Sequence, residues 1–425
     1  MPTDNVADPT SPRSSSHYSH DMLSSLTENL PALVAKRFLA AKQSGALVFS
    51  HTEVTTLKAS DIPPFQLRYC PALAKKPTTT TTTTNSNNNS NTANNATTPT
   101  TTTTPIVKQK PDPFENPTGD LVIGKITSGE AHTHTLVLNK FPVIPNHFIL
   151  ATRLFKPQTD LLERDDLVVT WQCLRAWEGE GQHDDEDDDE GAVDGDGGGG
   201  AGVGGRRLFA FFNSGEHSGA SQPHRHLQFL PVEGMVRDDG EGEGEGWWPL
   251  IYGDGNGHDE TRVGVGGGGD GDGGDWCQPR RFNVPFACYA VDIPTTPSGE
   301  ELHRAYLNLY GVAVRAVERF MGGRVGDGGG ERQAKISYNL AMTTERMLIW
   351  PRRREAAEIP IEPGAKREFV DAGLVSLNGT VLAGTLMVKT LREWEVLRAR
   401  PGLLGGVLGA VGAPVDLEME RDRGG

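Results

Sequence analysis

Cysteine is scarce in this chain, with 4 among 425 residues, and no two of them form a C-x-x-C pair. This excludes a disulfide framework and a zinc site built on cysteine pairs, and it suits a reducing compartment. Apolar residues are also few, at 36%, against about 45–50% in an average domain. No run of about 18 apolar residues occurs, and the first 25 residues lack the apolar core of a secretion signal. We therefore expect no membrane segment and a cytoplasmic location, and we also allow a nuclear one.

Basic residues are almost missing from two segments that hold much of the acidic charge. Residues 178–200 contain 11 Asp and Glu and no Lys or Arg, and residues 233–275 contain 12 against Arg237 and Arg262. The segments carry −11 and −10 of the net charge of −15, so the rest of the chain carries +6. A mildly basic remainder suits an anionic substrate, but a charge this small is weak support by itself.

Low-complexity stretches divide the chain, because their composition offers too little apolar surface to form a core. We expect disorder in the N-terminal residues 1–25, and we expect disordered insertions that lengthen the loops of one architecture, which costs little closure entropy. The predicted division is a catalytic region over 26–232 with insertions at 78–104 and 178–205, an insertion over 233–275, and a C-terminal region over 276–425 with a glycine-rich loop at 322–330.

The remaining residues alternate helix and strand signals. A stripe of apolar side chains predicts a helix over Thr27–Ser44 that ends at Gly45. Thr390 and Glu393 form a capping box that begins a short helix to Arg398. We predict strands at 46–49, 65–69, 207–213, 225–232 and 381–388, hairpins of 135–139 with 148–152 and of 336–343 with 347–351, and a helix over 300–321. This order predicts an α+β fold with a mixed, largely antiparallel sheet and flanking helices.

The most informative stretch for chemistry is residues 213–231, NSGEHSGASQPHRHLQFLP. The two-residue period of a strand places His224, His226 and Gln228 on one face. The small residues that precede them let backbone N–H groups approach an anion closely. A neutral imidazole is a good nucleophile toward phosphorus, so the pattern favours phosphate chemistry. A metal-binding pair and partly buried structural histidines are the alternatives.

The residues Asn213 and Gly219–Gln228 resemble the signature of the diadenosine tetraphosphate phosphorylases, also called ATP adenylyltransferases, of the histidine triad superfamily. The third histidine position of that superfamily is Gln228 here, as in its transferase branches. Other segments similar to the family are PALAKKP at 71–77, PDPFENP at 111–117, LNKFPV at 138–143, YNLAMT at 338–343, WPR at 350–352 and NGTVLAG at 378–384. The resemblance runs from about residue 27 to 413 and implies a histidine-triad-like fold.

The resemblance also implies roles for individual residues. His226 would be the nucleophile that becomes adenylylated, with Gln228 holding phosphate oxygens and His224 beside them. Gly379 stands where the family usually has Ser, and Thr385 where it usually has Met. We expect the basic run 352–354 at the rim of the site. The implied substrate-binding residues are Lys76, Asn139, Lys140, Asn213, Gly219, Ala220, Ser221, Gln222, Gln228, Asn378, Gly379, Thr380, Thr385 and Lys389.

The activity that the resemblance implies is reversible cleavage of diadenosine tetraphosphate by phosphate, giving ATP and ADP. We expect small nucleotides as partners, a monomer, and no nucleic acid or membrane. We expect no metal site in the protein, and a divalent cation such as magnesium that accompanies the polyphosphate. Gln228 cannot relay protons as a third histidine could, which permits transfer rather than hydrolysis. The alternatives are a nucleotide-sugar uridylyltransferase relative, a dinucleoside polyphosphate hydrolase and a nucleotide-binding sensor.

Overall fold

The computed structural model describes residues 22–26, 28–60, 62–75, 111–128, 130–179, 206–235, 279–281, 284–326, 330, 332–360 and 372–414. The predicted low-complexity stretches lie largely outside these residues. The helices are α1 Leu30–Ser44, α2 Arg164–Glu178, α3 Gly299–Met321, α4 Leu391–Ala399 and α5 Leu403–Val411. The strands are β1 Glu53–Ala59, β2 Ile62–Tyr69, β3 Val122–Ser128, β4 Ala131–Leu138, β5 Phe148–Thr152, β6 Leu208–Ser214, β7 His226–Pro231, β8 Arg280–Arg281, β9 Tyr289–Asp292, β10 Ser337–Met342, β11 Arg346–Arg352, β12 Ala356–Glu358, β13 Leu374–Ser376 and β14 Thr385–Val388.

Nine strands form one antiparallel sheet in the order β3-β4-β5-β7-β6-β10-β11-β9-β8. A smaller sheet has the order β1-β2-β14, in which β14 runs parallel to β2. The predicted α+β class with a mixed, largely antiparallel sheet is therefore confirmed. The pairing of β6 with β10 joins strands from both predicted regions into a single sheet.

The two faces of the large sheet pack into two different buried cores. On β7, Leu227 and Phe229 belong to a buried core with residues of α1, α2 and α3. Alternation along the strand places His226 and Gln228 on the opposite face. On that face, Phe211 and Trp350 pack into a second core with residues of α4 and α5. The catalytic candidates therefore lie on the face of the sheet away from the three longer helices.

Several predicted elements are confirmed and two are not. Helix α1 begins at Leu30, with the Asn29 side chain as its cap, and ends at Gly45 in the left-handed conformation. Residues 46–49 form no strand, although Val48 N donates to Lys140 O at 2.9 Å. The strand predicted over 381–388 is a 3₁₀ turn over Gly379–Ala383 followed by β14, because Asn378 caps the turn and Gly384 closes it at φ +68°.

Candidate active site

His226 lies at the start of β7 with its tautomer fixed by the backbone. Its Nδ1 is 2.8 Å from the carbonyl oxygen of His224, which can only accept, so Nδ1 carries the hydrogen. The Nε2 lone pair is therefore the reactive one, and within the described part of the chain no hydrogen bond occupies it. Burial lowers the pKa of His226 to about 4, with a smaller opposing contribution from the His224 carbonyl bond. The ring is neutral at pH 7 and can act as a nucleophile.

His224 is held by acceptors at both of its ring nitrogens. Nδ1 is 2.6 Å from Asp112 Oδ2, and Nε2 is 2.8 Å from the carbonyl of Thr152. Thr152 Oγ1 also lies 3.0 Å from Nε2, so oxygen atoms hold the ring from both sides. Phe114 packs on His224 and His226, with ring centroids 5.8 and 4.9 Å away. His224 thus positions His226 and the segment that contains Asp112.

Gln228, two residues after His226, is joined to two residues of the β4–β5 connection. Its Oε1 lies 3.1 Å from Nε2 of His147, and Nδ1 of His147 lies 3.1 Å from Nδ2 of Asn139. Asn139 Oδ1 accepts from the backbone N of Phe141 at 2.9 Å. Asn139 and Gln228, predicted from distant segments, are therefore brought into one hydrogen-bonded chain through His147.

Gln158 ties His226 to the neighbouring strand. Its Oε1 accepts from His226 N at 2.8 Å, and its Nε2 donates to Asn213 O at 2.8 Å and to His226 O at 3.2 Å. The side chain is 3% exposed. Its amide holds the peptide of His226 against β6, which fixes where the imidazole lies.

Asn213 connects the catalytic strands to the C-terminal segment. Its Oδ1 accepts from Asn339 Nδ2 at 2.7 Å and from Gly379 N at 2.9 Å. A Cβ at Gly379 would lie 2.8 Å from Phe211 Cδ2 and 2.9 Å from Asn213 Oδ1, so only glycine allows this approach. The substitution of the family's usual Ser therefore has a steric reason in this chain.

The loop before β7 packs against the same C-terminal segment. Gly219 has φ +77°, and a Cβ there would lie 2.7 Å from Leu377 O and 2.9 Å from Asn378 Cβ. Asn378 Oδ1 in turn accepts from Thr380 N at 3.0 Å and from Thr380 Oγ1 at 2.8 Å. The predicted residues of the loop and of the 378–380 turn are thus neighbours.

Arg352 fixes that turn from beneath and is not at the rim of the site. It is 3% exposed, its Nη2 donates to Leu377 O at 3.0 Å, and its Nη1 donates to Asn339 Oδ1. Its guanidinium lies 4.3 Å from the centroid of the Trp350 ring. Desolvation by burial lowers its pKa to about 9. The expectation of a solvent-facing charge at Arg352 is therefore wrong, because carbonyl oxygens and an aromatic face replace water around it.

A buried ion network supports β7 from the helix side. Arg225 Nη1 donates to Asp166 Oδ2 at 2.9 Å, and Asp166 Oδ1 lies 3.0 Å from His134 Nε2. Burial pushes the pKa of Asp166 upward, but the His134 hydrogen bond and the Arg225 charge outweigh this and hold it below its usual value. The residue between the two histidines is therefore anchored to the first turn of α2.

Comparison with known proteins places these elements in a family. Residues 21–185 and 204–240 match the Ap4A phosphorylase N-terminal domain, and residues 282–414 match the ATP adenylyltransferase C-terminal domain. The two matches follow each other in order and cover both halves of the sheet. The chain belongs to the Ap4A phosphorylase family.

Individual members of the family align to different extents. Diadenosine 5',5'''-P1,P4-tetraphosphate phosphorylase 2 of Saccharomyces cerevisiae is 32% identical over 208 residues, which are 49% of this chain and 51% of the relative, about half its length. Protein APA1 of the same yeast is 23% identical over 397 residues, 92% of this chain and 96% of the relative. The crystal structure of yeast Ap4A phosphorylase Apa2 in complex with Ap4A has a TM-score of 0.60 at 23% identity, over 92% of this chain and 99% of that one, which shows the shared fold.

Within the described part of the chain, the other residues predicted from the family resemblance make no hydrogen bond with the two histidines, and their exposure varies. Lys140 is exposed, with Nζ 5.7 Å from the Phe141 ring centroid. Ala220 and Ser221 are exposed and Gln222 is half-buried in the loop before β7. Lys389 is half-buried after β14, and its backbone N donates to Glu393 Oε2 at 2.9 Å. Lys76 lies outside the described residues.

Thr385 differs from the other family positions, because it is fully buried. Its Oγ1 is 3.1 Å from Gln66 Oε1, and Arg68 Nε donates to the same oxygen at 2.7 Å. These contacts place Thr385 in a polar cluster between β14 and β2. A hydroxyl suits this position because Gln66 supplies an acceptor for it.

Five residues that bond to the candidate site residues or to one another in this structure were missed as site residues by the sequence analysis: Asp112, His147, Gln158, Asn339 and Arg352. Asp112 and Asn339 stand inside segments that resemble the family, which is the signal that could have found them. Arg352 also stands in such a segment, WPR at 350–352. Gln158 and His147 lie outside these segments and act through partners remote in sequence, so spacing gives no indication of them. Among the described residues, no group of three or more His, Cys, Asp or Glu is arranged to hold a metal ion, and no described helix is long and apolar enough to cross a membrane.

Proposed function

We propose that this chain is a nucleotidyltransferase that cleaves diadenosine tetraphosphate with inorganic phosphate, giving ATP and ADP, and that also runs in reverse. The observation that carries the proposal is the fixed tautomer of His226. Its Nδ1 bonds the His224 carbonyl at 2.8 Å, and burial lowers its pKa to about 4. A neutral ring with a free Nε2 lone pair is the form a phosphorus nucleophile needs.

In the first step, His226 Nε2 attacks an α-phosphorus of the substrate. A P–N bond forms and the P–O bond to the leaving ATP breaks, which leaves an adenylyl-histidine. In the second step, an oxygen of inorganic phosphate attacks the same phosphorus, the P–N bond breaks, and ADP forms with a neutral histidine. ATP is a weak base, so neither step requires strong proton donation.

The remaining site residues supply binding and charge stabilisation. Gln228 donates to phosphate oxygens, and the loop Gly219–Gln222 offers backbone N–H groups to the phosphates. The lysines Lys76, Lys140 and Lys389 offset phosphate charge. The turn that begins at Asn378 also binds the substrate. Magnesium arrives with the polyphosphate as part of the substrate.

The same proposal covers the finer features of the fold. The strands β3 to β7 form the histidine-triad-like region within 26–232, and the strands after residue 276 complete the substrate site. The comparisons support this division because the two matched domains end and begin near these limits. We propose that the enzyme works as a monomer on free nucleotides in the cytoplasm.

A phosphate-dependence assay tests this function. The protein is incubated with diadenosine tetraphosphate with and without inorganic phosphate, beside the variant His226→Ala. We expect ATP and ADP only when phosphate is present, and none from the variant. ATP and AMP without a phosphate requirement would show that water is the acceptor and would identify a hydrolase. Intact nucleotide bound without turnover would identify a sensor.

A further inference from the structure

We propose that Asn139 and His147 are positioning residues that orient the amide of Gln228, so that its NH₂ group and not its oxygen faces the substrate phosphate. The inference rests on the proposed function and adds to it a device that decides which end of Gln228 meets the anion. It follows from four hydrogen-bonding groups in series, of which the first has only one possible role.

The series starts at the backbone N–H of Phe141, which can only donate. Asn139 Oδ1 accepts from it at 2.9 Å, so the Nδ2 end of the Asn139 amide faces the other way, toward His147. The backbone adds to this, because Asn139 N donates to His147 O at 3.0 Å. The orientation of Asn139 is therefore fixed by a main-chain donor.

The donor group of Asn139 then fixes the tautomer of His147. Asn139 Nδ2 lies 3.1 Å from His147 Nδ1 and 3.4 Å from His147 Nε2. We assign the acceptor role to the nearer nitrogen, Nδ1, which places the ring hydrogen on Nε2. His147 Nε2 lies 3.1 Å from Gln228 Oε1 and donates to it. His147 is 7% exposed, so water competes little for these contacts.

The orientation of the Gln228 amide determines which of its two polar groups faces the substrate. With Oε1 bonded to His147, Gln228 presents its NH₂ group on the face of β7 that carries His226. A glutamine amide is nearly symmetric in shape, so packing alone does not choose between its two ends. In the flipped orientation a carbonyl oxygen would meet a phosphate oxygen, and charge stabilisation during transfer would become repulsion.

The tautomer of His147 can be measured directly on the full-length protein. ¹⁵N NMR of the histidine-labelled chain distinguishes a protonated from an unprotonated ring nitrogen, and the variant His147→Gln assigns the signals by their loss. We expect hydrogen on Nε2 and a bare Nδ1. Hydrogen on Nδ1 would overturn the proposal, whatever the activity of the enzyme.

A double-mutant cycle tests whether His147 acts through Gln228. We expect His147→Leu to lower kcat/KM about tenfold, because Gln228 loses the buried hydrogen bond that orients its amide. In a Gln228→Ala background the same change should cost less than about twofold. An equal loss in both backgrounds would show that His147 acts elsewhere.

Two further variants separate positioning from folding. His147→Gln keeps a donor for Gln228 and an acceptor for Asn139, so it should recover most of the activity that His147→Leu loses. His132→Leu removes a histidine whose Nε2 bonds to the backbone oxygen of His134 at 2.9 Å and should leave kcat/KM unchanged. If no variant or wild type turns over the nucleotide, the proposed function fails, while the NMR measurement still decides the tautomer of His147.

Discussion

At the scale of single residues, the site depends on main-chain groups that remove choices from side chains. A carbonyl fixes the tautomer of His226, and a glycine at position 379 lets the C-terminal turn reach Asn213. A carbonyl oxygen can only accept and a backbone N–H can only donate, so such contacts set hydrogen positions without the ambiguity of amides and imidazoles. Two predictions follow at this scale.

The first prediction concerns the protonation of His226. Its pKa of about 4 in the folded chain lies below about 6.5 in the unfolded chain. Stability from the neutral ring is therefore complete above pH 6.5 and is lost as the pH falls toward 4, by roughly 2 kcal/mol between pH 7 and pH 5. We expect the ring signals of His226 in NMR to stay unshifted from pH 8 to pH 5.5. A midpoint near 6.5, in signals assigned with His226→Asn, would contradict the buried neutral ring.

The second prediction concerns Gly379→Ala. The new Cβ would lie 2.8 Å from Phe211 Cδ2, so the turn must move, and overpacking of this kind costs about 1–3 kcal/mol. We expect a raised KM with a folded protein, measured in the phosphorolysis assay. Gly402→Ala is the matched control, because nothing lies within 4 Å of its Cβ position. Equal KM values for the two variants would argue against a close approach at Gly379.

At the scale of elements, the beginning of β7 is bonded to two neighbouring elements. The Arg225 side chain ties it to α2, and the Gln158 amide ties it to β6. The strand therefore cannot slide in register without breaking a buried ion pair or three bonds to peptide groups.

Asp166→Asn should destabilise the protein by about 3 kcal/mol, because it removes the nearest carboxylate from the buried Arg225 guanidinium. The carboxylates that remain near this guanidinium are those of Glu163 at 3.3 Å and Asp160 at 3.9 Å. Chemical denaturation measures this loss. The neighbouring Asp165→Asn is the control: the Asp165 side chain is 45% exposed and its contact with Arg164 Nε is 3.4 Å long, so its loss should stay within about 0.5 kcal/mol. If Asp166→Asn costs no more stability than the small loss expected for Asp165→Asn, the buried network contributes nothing to the stability of the fold.

Gln158→Met keeps the volume of the side chain but removes its hydrogen bonds. The peptide groups of His226 and the carbonyl of Asn213 would lose their buried partner, at about 1–3 kcal/mol of stability. We expect kcat to fall by about tenfold or more with KM little changed, since the substrate contacts remain. A variant with wild-type kcat and reduced stability alone would assign Gln158 a purely structural part.

The elements that the sequence predicts well are those whose signals are local. The apolar stripe and Gly45 define α1, and the Thr390–Glu393 capping box defines α4. Helix α2, which was not predicted, also begins with a capping box, formed by Glu163 and Asp166. The sequence therefore contains a start signal for this helix, but both of its residues are acidic. The alternation in β7 predicts the catalytic face, whereas Gln158 could not be found because its bonds go to peptide groups of remote strands.

At the scale of the whole molecule, the catalytic strands and the C-terminal strands share one sheet. The seam is the pairing of Asn213 on β6 with Asn339 on β10, and their side chains are bonded at 2.7 Å. The predicted N-terminal and C-terminal regions therefore meet at the site itself, and neither half is expected to carry activity without the other.

Deletion of residues 180–200 or of residues 80–102 is expected to leave the melting temperature and kcat nearly unchanged. For residues 180–200, the argument is the place of attachment: α2 ends at Glu178 and β6 begins at Leu208, about 17 Å along the strand from Asn213. Thermal unfolding and the phosphorolysis assay check the prediction. A large drop in melting temperature would show that these residues stabilise the fold.

Strands β6 and β7 run in opposite directions. His226 lies at one end of this pair, and the start of β6 lies at the second end. At that second end Val232 N donates to Arg207 O at 2.9 Å, so the chain leaves β7 beside the point where it enters β6. A reporter domain or an affinity handle fused between 179 and 206 would thus sit at the far end of the strands from His226. Its attachment would let the protein be immobilised or tracked without a change near His226.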